Sequence, residues 1–380
     1  MKGFNWLEVI RANILVLQIG GPWPFSSKLS KVYSTFIIVF LMVMPAASQT
    51  VELLLFTKDI KIFLGSLCLV LQEYQLLTKV FCLTTNFHIL EGVLQFLDDE
   101  ILFQPKSQHQ RIFVLEGLSL WKKNFVVLNA LAFLTAFSWT MFPILDNLTA
   151  QHELIFRSWF PYDVEVSPFY EISYSYQFVH LWFGAFVTHN IDTLVTALMT
   201  YIGLQCDLLC DNLRNLGYTQ NESILSTEFA VCVKQHKKIL RFSTNCVDFF
   251  SLIVSIQVAT ISVCIGICLL QISIDPSFSI EFCHLLFYAI TILLQMFQYC
   301  WFGNEVLLKS SEISTAAFEI NFADASVDVK KNLIFFMART QRPIKIPVFK
   351  LTHLSLEIFV KVLRTAWSYF TLLQQVSVTN

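Results

Sequence analysis

The sequence predicts an all-α membrane protein with seven transmembrane helices, its amino end in the cytosol and its carboxyl end outside. Three observations predict it. Seven apolar stretches each approach the roughly 20 residues needed to cross a bilayer's hydrocarbon core, in a chain of 380 residues that is 55% hydrophobic and only 14% charged. Lys and Arg gather on alternate connections between those stretches, which by the positive-inside rule are the cytosolic ones. The connection between the third and fourth stretches is acidic and carries the sequon Asn147-Leu148-Thr149, which accepts a glycan only on the lumenal side.

Composition excludes several classes. Soluble domains carry about 25% charged residues, well above this chain. The net charge of −2 gives no basic field for nucleic acid. The 10 cysteines fall in predicted spans or cytosolic stretches, and none lies in the outer loop 143–173, so no disulfide framework is expected. Cys206 and Cys210 lie one helical turn apart without a nearby His, which makes a buried or acylated pair rather than a metal site. No metal and no cofactor is expected. Phe is the dominant aromatic, at 37 residues. In a membrane this serves mainly lipid contact and helix packing, and only inward-facing Phe can line a cavity.

The elements follow in order. Residues 1–31 form a cytosolic segment with Lys2, Arg11, Lys28 and Lys31. Its apolar run Ile14–Leu17 is too short for a signal peptide's core. Six spans fill 32–303, at about 32–55, 60–83, 124–142, 172–197, 247–272 and 282–303. Pro45 is tolerated in the first as a kink. Lys79, Lys106, Arg111, Lys122 and Lys123 mark the second-to-third connection as cytosolic. Arg214, Lys234, Lys237, Lys238 and Arg241 mark the fourth-to-fifth. Lys309, Lys330, Lys331, Arg339, Arg342 and Lys345 mark the sixth-to-seventh. The opposite side holds little beyond Lys58, Lys61 and Arg157. A second sequon, Asn221-Glu222-Ser223, falls on the cytosolic side and should stay bare.

Spans four and five continue as amphipathic helices beyond the membrane, with Leu204, Leu208, Leu213, Phe229, Val233, Ile239 and Leu240 on their apolar faces. Residues 304–349 complete a cytosolic anchor. Within it 326–341 reads as a short helix with apolar Leu333, Ile334, Phe336 and Met337, ending before Arg342-Pro343. The seventh span, 350–376, is the least apolar and contains Glu357, Lys361 and Arg364. Charges at membrane depth face water or protein.

No His-Glu-x-x-His, Gly-x-Ser-x-Gly or phosphate-cradling glycine loop is present, which opposes a membrane enzyme. Seven spans with unlike halves oppose an inverted-repeat transporter. An amino end in the cytosol and an outer loop without cysteine oppose a G-protein-coupled receptor, so no G protein is required.

Several local motifs converge. They are Ile19-Gly20-Gly21-Pro22-Trp23-Pro24, then Trp159-Phe160-Pro161-Tyr162-Asp163 with Ser167-Pro168 and Tyr174 to Gln177, then Tyr299-Cys300-Trp301-Phe302-Gly303-Asn304. At the carboxyl end Gln341-Arg342-Pro343 leads to Leu354–Phe359 and Ser368–Gln375. Their order, spacing and topology resemble the insect odorant receptors over essentially the whole chain. The length resembles a ligand-tuned subunit, not the shared coreceptor with its longer fourth-to-fifth loop. Ser368-Tyr369 and Gln375-Val376 also sit at the spacing of the gustatory receptor ending, so a gustatory-type channel of the same superfamily is the alternative.

The resemblance implies an odorant-binding subunit of a heteromeric, ligand-gated, nonselective cation channel. It implies a heterotetramer with the coreceptor, in the plasma membrane of olfactory sensory neurons. It places Leu372 and Val376 at a hydrophobic gate and Gln375 at a polar pore position. Gln374 departs from the coreceptor's apolar residue. It also implies a cavity for a small apolar volatile in the outer half of the bundle, between spans two to six. The expected lining is Leu71 and Tyr74 on span two, Thr135, Ser138 and Phe142 on span three, and Phe178, Leu181, Trp182 and Ala185 on span four. His180 and His189 read as isolated.

Overall fold

The computed structural model describes residues 4–23, 28–55, 60–146, 154–216, 222–274, 280–320 and 325–379. Within these, the side chains at 60–61, 142–146, 222–223, 273–274, 280–281, 283–284, 369 and 372–379 are outside the description. The protein is a helical bundle. Its elements are α1 (Arg11–Ile19), α2 (Lys28–Ile38), a π-helical turn (Val39–Val43), α3 (Met44–Leu55), α4 (Ile60–Thr85), α5 (Phe87–Asp99), α6 (Gln108–Asp146), α7 (Phe169–Arg214), α8 (Glu222–Ile274), α9 (Ile280–Phe318), α10 (Val327–Thr340), the two-stranded β1 (Pro347–Val348) and β2 (Thr352–His353), and α11 (Leu356–Thr379). Among the described residues, six helical stretches are long and apolar enough to cross a membrane: Lys28–Leu55, Ile62–Thr85, Gln108–Met141, Phe169–Arg214, Ile224–Ile272 and Leu285–Phe318. Helix α11 supplies the seventh. Its 24 residues reach about 36 Å, but its charges lower its mean hydropathy.

Helix α7 is the axis of the bundle. Its most apolar stretch is 89% buried, against 22% for α6, whose Val126, Val127, Phe133 and Phe137 point outward. With 46 residues, α7 is about 69 Å long, and α8, with 53, about 80 Å. Neither fits within 30 Å of hydrocarbon, so both continue well beyond it. Their extensions pack with the lower part of α9 and with α1, α5 and α10 into a dense block. Phe96, Phe103 and Phe242 cluster there, and Phe229 meets Phe336 edge to face. Tyr201 Oη donates to the Trp6 carbonyl at 2.9 Å, and Lys238 pairs with Glu100 at 2.5 Å. In α10, Ser326 caps the amino end, and Val329, Leu333, Phe336 and Thr340 are buried. Ile334 falls outside that face, 65% exposed.

Span one is shaped by Pro45. Proline has no N–H to give the carbonyls one turn back, and the turn before it is π-helical. Side chains of α7 take the vacant place. His180 Nδ1 lies 2.7 Å from Leu41 O, and Tyr176 Oη donates to Phe40 O at 2.7 Å.

Span seven starts later than the sequence predicts. Residues 347–353 form the hairpin β1–β2, with Phe349 and Lys350 at positive φ, and α11 begins only at Leu356. The hairpin is pinned by Phe349 N donating to Ser255 Oγ at 2.9 Å. Leu354 packs so closely on Gly303 that a Cβ there would stand 2.6 Å from Leu354 Cδ2. Lys79, which the charge reading counts as cytosolic, is only 1% exposed and is buried in the bundle.

Candidate functional site

A cavity of about 140 Å³ opens inside the bundle, between α4, α6, α7 and α9. Helix α4 contributes Leu69, Gln72, Glu73 and Leu76, and α6 contributes Ala132, Thr135, Ala136 and Trp139. Helix α7 contributes His180, Leu181, Gly184, Ala185, Thr188 and His189, and α9 contributes Tyr288, Thr291, Ile292 and Gln295. Gln49 of α3 and Phe156 complete the wall, and among the described residues none of α8 lines it.

The spacings explain the lining. Residues 69, 72, 73 and 76 recur at three and four, which is one face of a helix. So do 132, 135, 136 and 139. Small residues on α6 and α7 leave the space: Ala132, Ala136, Gly184 and Ala185.

Phe156 belongs to the stretch before α7 and seals one end. Its N–H donates to Gln177 Oε1 at 3.1 Å, and Gln177 Nε2 donates back to its carbonyl at 2.9 Å. The same connection is fastened to α3, where Ser48 Oγ donates to Trp159 O at 2.6 Å. Tyr162 Oη and Ser173 Oγ are 3.0 Å apart. Thus the Trp159–Asp163 and Tyr174–Gln177 motifs act together to hold a lid on the cavity.

At the other end is a buried ionic group. Lys79 Nζ lies 2.5 Å from Asp192 Oδ1, with exposures of 1% and 0%. Nζ makes no aligned hydrogen bond, so the attraction is coulombic. Tyr299 Oη donates to Oδ1 at 2.8 Å and Gln295 Nε2 to Oδ2 at 2.7 Å. Gln295 also lines the cavity, so the floor of the cavity and the ion pair share a side chain. The group ties α4, α7 and α9 together.

Of the residues expected from the sequence, Thr135, Leu181 and Ala185 line this cavity. Leu71 and Tyr74 do not. They lie off the 69/72/73/76 face, and Tyr74 is 48% exposed with its hydroxyl 3.2 Å from Thr50 Oγ1. Ser138 is turned away and donates to the carbonyl of Thr135 at 2.9 Å. Phe178 and Trp182 form an outer aromatic ladder with Phe133 and Phe186. Phe178 and Trp182 share the helical stripe of Leu181 and Ala185 but sit on its outer edge, where a membrane rewards aromatic side chains. The Phe142 side chain and Asn147 lie outside the described residues, as do the side chains of Leu372, Gln375 and Val376, though α11 runs through the last three. Glu73, Gln72, His180 and His189 also line the cavity, outside the lining expected from the sequence. The signal was present: polar side chains inside apolar spans mark the protein-facing side.

Among the described residues no group of three or more metal-ligating side chains comes together, and the nine described cysteines are free and buried. Beyond the membrane, on the α8 extension, His236 is buried against Phe336. Burial, reinforced by the Arg339 charge, pushes its imidazole down to about 4.

The fold is shared with the insect olfactory receptor OR5 from Machilis hrabei. The structure of OR5 in complex with eugenol superposes with a TM-score of 0.85 at 19% identity, covering 98% of this chain and 100% of that one. A second structure of OR5 gives 0.84. Odorant receptor Or1 of Anopheles gambiae is 24% identical over 348 residues, 83% of this chain and 82% of Or1. Odorant receptor Or2 of the same mosquito is 31% identical over 239 residues, 56% of this chain and 58% of Or2. The family model described as 7tm Odorant receptor matches residues 59–367, which decides the odorant branch over the gustatory one. With the helical bundle and most of the chain matched to that model, this protein belongs to the seven-transmembrane odorant receptor family, multi-pass membrane receptors rather than enzymes.

Proposed function

We propose that this chain is the odorant-binding subunit of a ligand-gated, nonselective cation channel, assembled with the odorant coreceptor in the plasma membrane of olfactory sensory neurons with its amino end in the cytosol. One observation carries the reading: a mostly apolar cavity of about 140 Å³ inside the bundle, beneath the tied-down connection before α7. An apolar cavity of about 150 Å³ holds a benzene-sized molecule, so the space suits one small volatile. OR5, the fold neighbour, is solved with eugenol. Opening then requires that the ligand bind the open arrangement better than the closed one.

Helix α11 supports the channel half of the proposal. Ile358 and Ala366 are buried against the bundle. Glu357 and Lys361, paired at 2.7 Å, remain 70% and 68% exposed. Arg364, Thr365 and Ser368 are exposed as well, on the same side at helical spacing. A polar face on a membrane helix seeks water or another subunit, not lipid. Around a shared axis it would line the inner vestibule. Leu372 and Val376, one turn apart, would form the constriction that excludes water when closed, and Gln375 would help hydrate ions when open.

The test is to fill the cavity. Ala185→Leu adds bulk to the lining, and overpacking of this kind costs about 1–3 kcal/mol. Responses to activating volatiles should need about tenfold more ligand, while a coreceptor-directed agonist stays equally potent. Tyr74→Ala, outside the cavity, should shift volatile potency less. The reverse ranking would move the ligand site to the lipid-facing side of α4.

A further inference from the structure

Four hydrogen-bond donors of the cavity lining are already engaged by the bundle itself. Thr135 and Thr291 donate to Leu131 O and Phe287 O at 2.8 and 2.9 Å. Gln295 Nε2 is taken by Asp192, and Gln72 Nε2 by Tyr288 Oη at 3.3 Å. Three acceptors in the lining are left over: Gln49 Oε1, Glu73 Oε2 and His189 Nε2. His180 Nδ1 faces Leu41 O at 2.7 Å, and His180 Nε2 faces Glu73 Oε1 at 3.0 Å. A carbonyl only accepts, so Nδ1 carries a proton. One further proton is shared between Nε2 and Oε1. Whichever atom holds it, Glu73 Oε2 keeps its lone pairs, and Oε2 is shut off from solvent with no partner. His189 repeats the pattern. Its Nδ1 lies 2.8 Å from Ala185 O and is therefore the protonated nitrogen. Its Nε2 is buried without a partner, and a second proton there would leave an unpaired charge in an apolar wall. His189 is 8% exposed and lines the cavity, as Glu73 does.

Buried acceptors without partners are costly, and a ligand that supplies the missing proton recovers that cost. We propose that the cavity selects small volatiles bearing a neutral N–H or O–H donor, received chiefly by Glu73 Oε2 and secondarily by His189 Nε2. Glu73 leads because hydrogen bonds to a carboxylate are the stronger kind. The donor is neutral because the Glu73–His180 pair is already balanced in charge, and a cation would bring an uncompensated charge into the bundle. This selectivity rests on the cavity being the ligand site.

The experiment compares isosteric pairs on cells expressing this chain with the coreceptor: p-cresol against p-xylene, aniline against toluene, and benzyl alcohol against ethylbenzene. Each donor-bearing member should activate at a concentration about ten- to a hundredfold lower than its hydrocarbon partner. In Glu73→Met/His180→Phe, which removes the pair as a unit, the gap should shrink to within about threefold. In His189→Phe most of it should remain. Equal potency within pairs in the wild type, or an unchanged gap in a double variant that labels normally at the cell surface, overturns the proposal. If the double variant fails to reach the surface, the wild-type pairs decide alone. Silence toward every volatile, beside a normal current from a coreceptor-directed agonist, overturns instead the ligand-site reading beneath it.

Discussion

Replacing Lys79 by Met should destabilise the receptor more than any change on its lipid-facing surface. Lys79 and Asp192 are 1% and 0% exposed, so neither charge can be solvated by water once its partner is gone. Breaking a buried pair from one side costs about 3–5 kcal/mol. Asp192 would still receive hydrogen bonds from Tyr299 and Gln295, which argues for the lower end, about 3 kcal/mol. For a chain of 380 residues that corresponds to a fall of about 4 °C in Tm. Lys79→Met/Asp192→Asn removes both charges and should recover about 2 kcal/mol of the loss. The assay is thermal unfolding of the detergent-solubilised or nanodisc-embedded receptor, followed by loss of its monodisperse fraction. Wild-type stability in Lys79→Met, or a double variant no better than the singles combined, would refute the idea that the pair holds α4, α7 and α9 together. Volatile potency in Lys79→Met should also fall, because Gln295 joins the pair to the cavity floor.

Three further outcomes follow from other parts of the molecule. His236 has a folded-state value of about 4 against an unfolded value near 6.5, so the unfolded chain binds more protons across that window and stability rises with pH through it. Lowering the pH from 6.5 to 5 should remove about 2 kcal/mol through this residue, and His236→Gln should flatten that part of the profile of Tm against pH. Gln375→Ala should alter relative permeability to cations more than ligand potency; unchanged permeability ratios would count against a pore position for it. Asn147→Gln should abolish a glycan-dependent gel shift, whereas Asn221→Gln should leave mobility unchanged, and the opposite pattern would invert the topology.

The architecture was legible because its signals are long and redundant. Apolar runs of bilayer length, charge on alternate connections and the amphipathic extensions of spans four and five predict the seven spans and α10, but not α5 or the start of α6 at Gln108. What sequence could not supply was local and depended on neighbours. The hairpin 347–353 is too short for a periodic pattern, and its turn uses positive φ at Phe349 and Lys350 rather than glycine. Lys79 near a helix end looks like an ordinary cytosolic charge, and only the fold brings Asp192 to it.

The site was less legible than the fold. Thr135, Leu181 and Ala185 share the cavity face, whereas Tyr74, expected by its depth on span two, and Phe178 and Trp182, on the same helical stripe as Leu181, lie off it because aromatic side chains in a membrane point outward as readily as inward. Glu73 and His180 were the more informative pair. Their placement depends on Pro45, whose missing N–H frees the carbonyl of Leu41 for His180. That link spans 139 residues and has no local signature.

The most direct test of the whole account is whole-cell recording from cells expressing this chain with and without the coreceptor, against a panel of single-ring volatiles. The account predicts a nonselective cation current, evoked by some of those volatiles when both chains are present and blunted by Ala185→Leu. A surface-expressed complex that passes current to a coreceptor agonist yet answers no volatile, or answers them equally with the cavity filled, would contradict it.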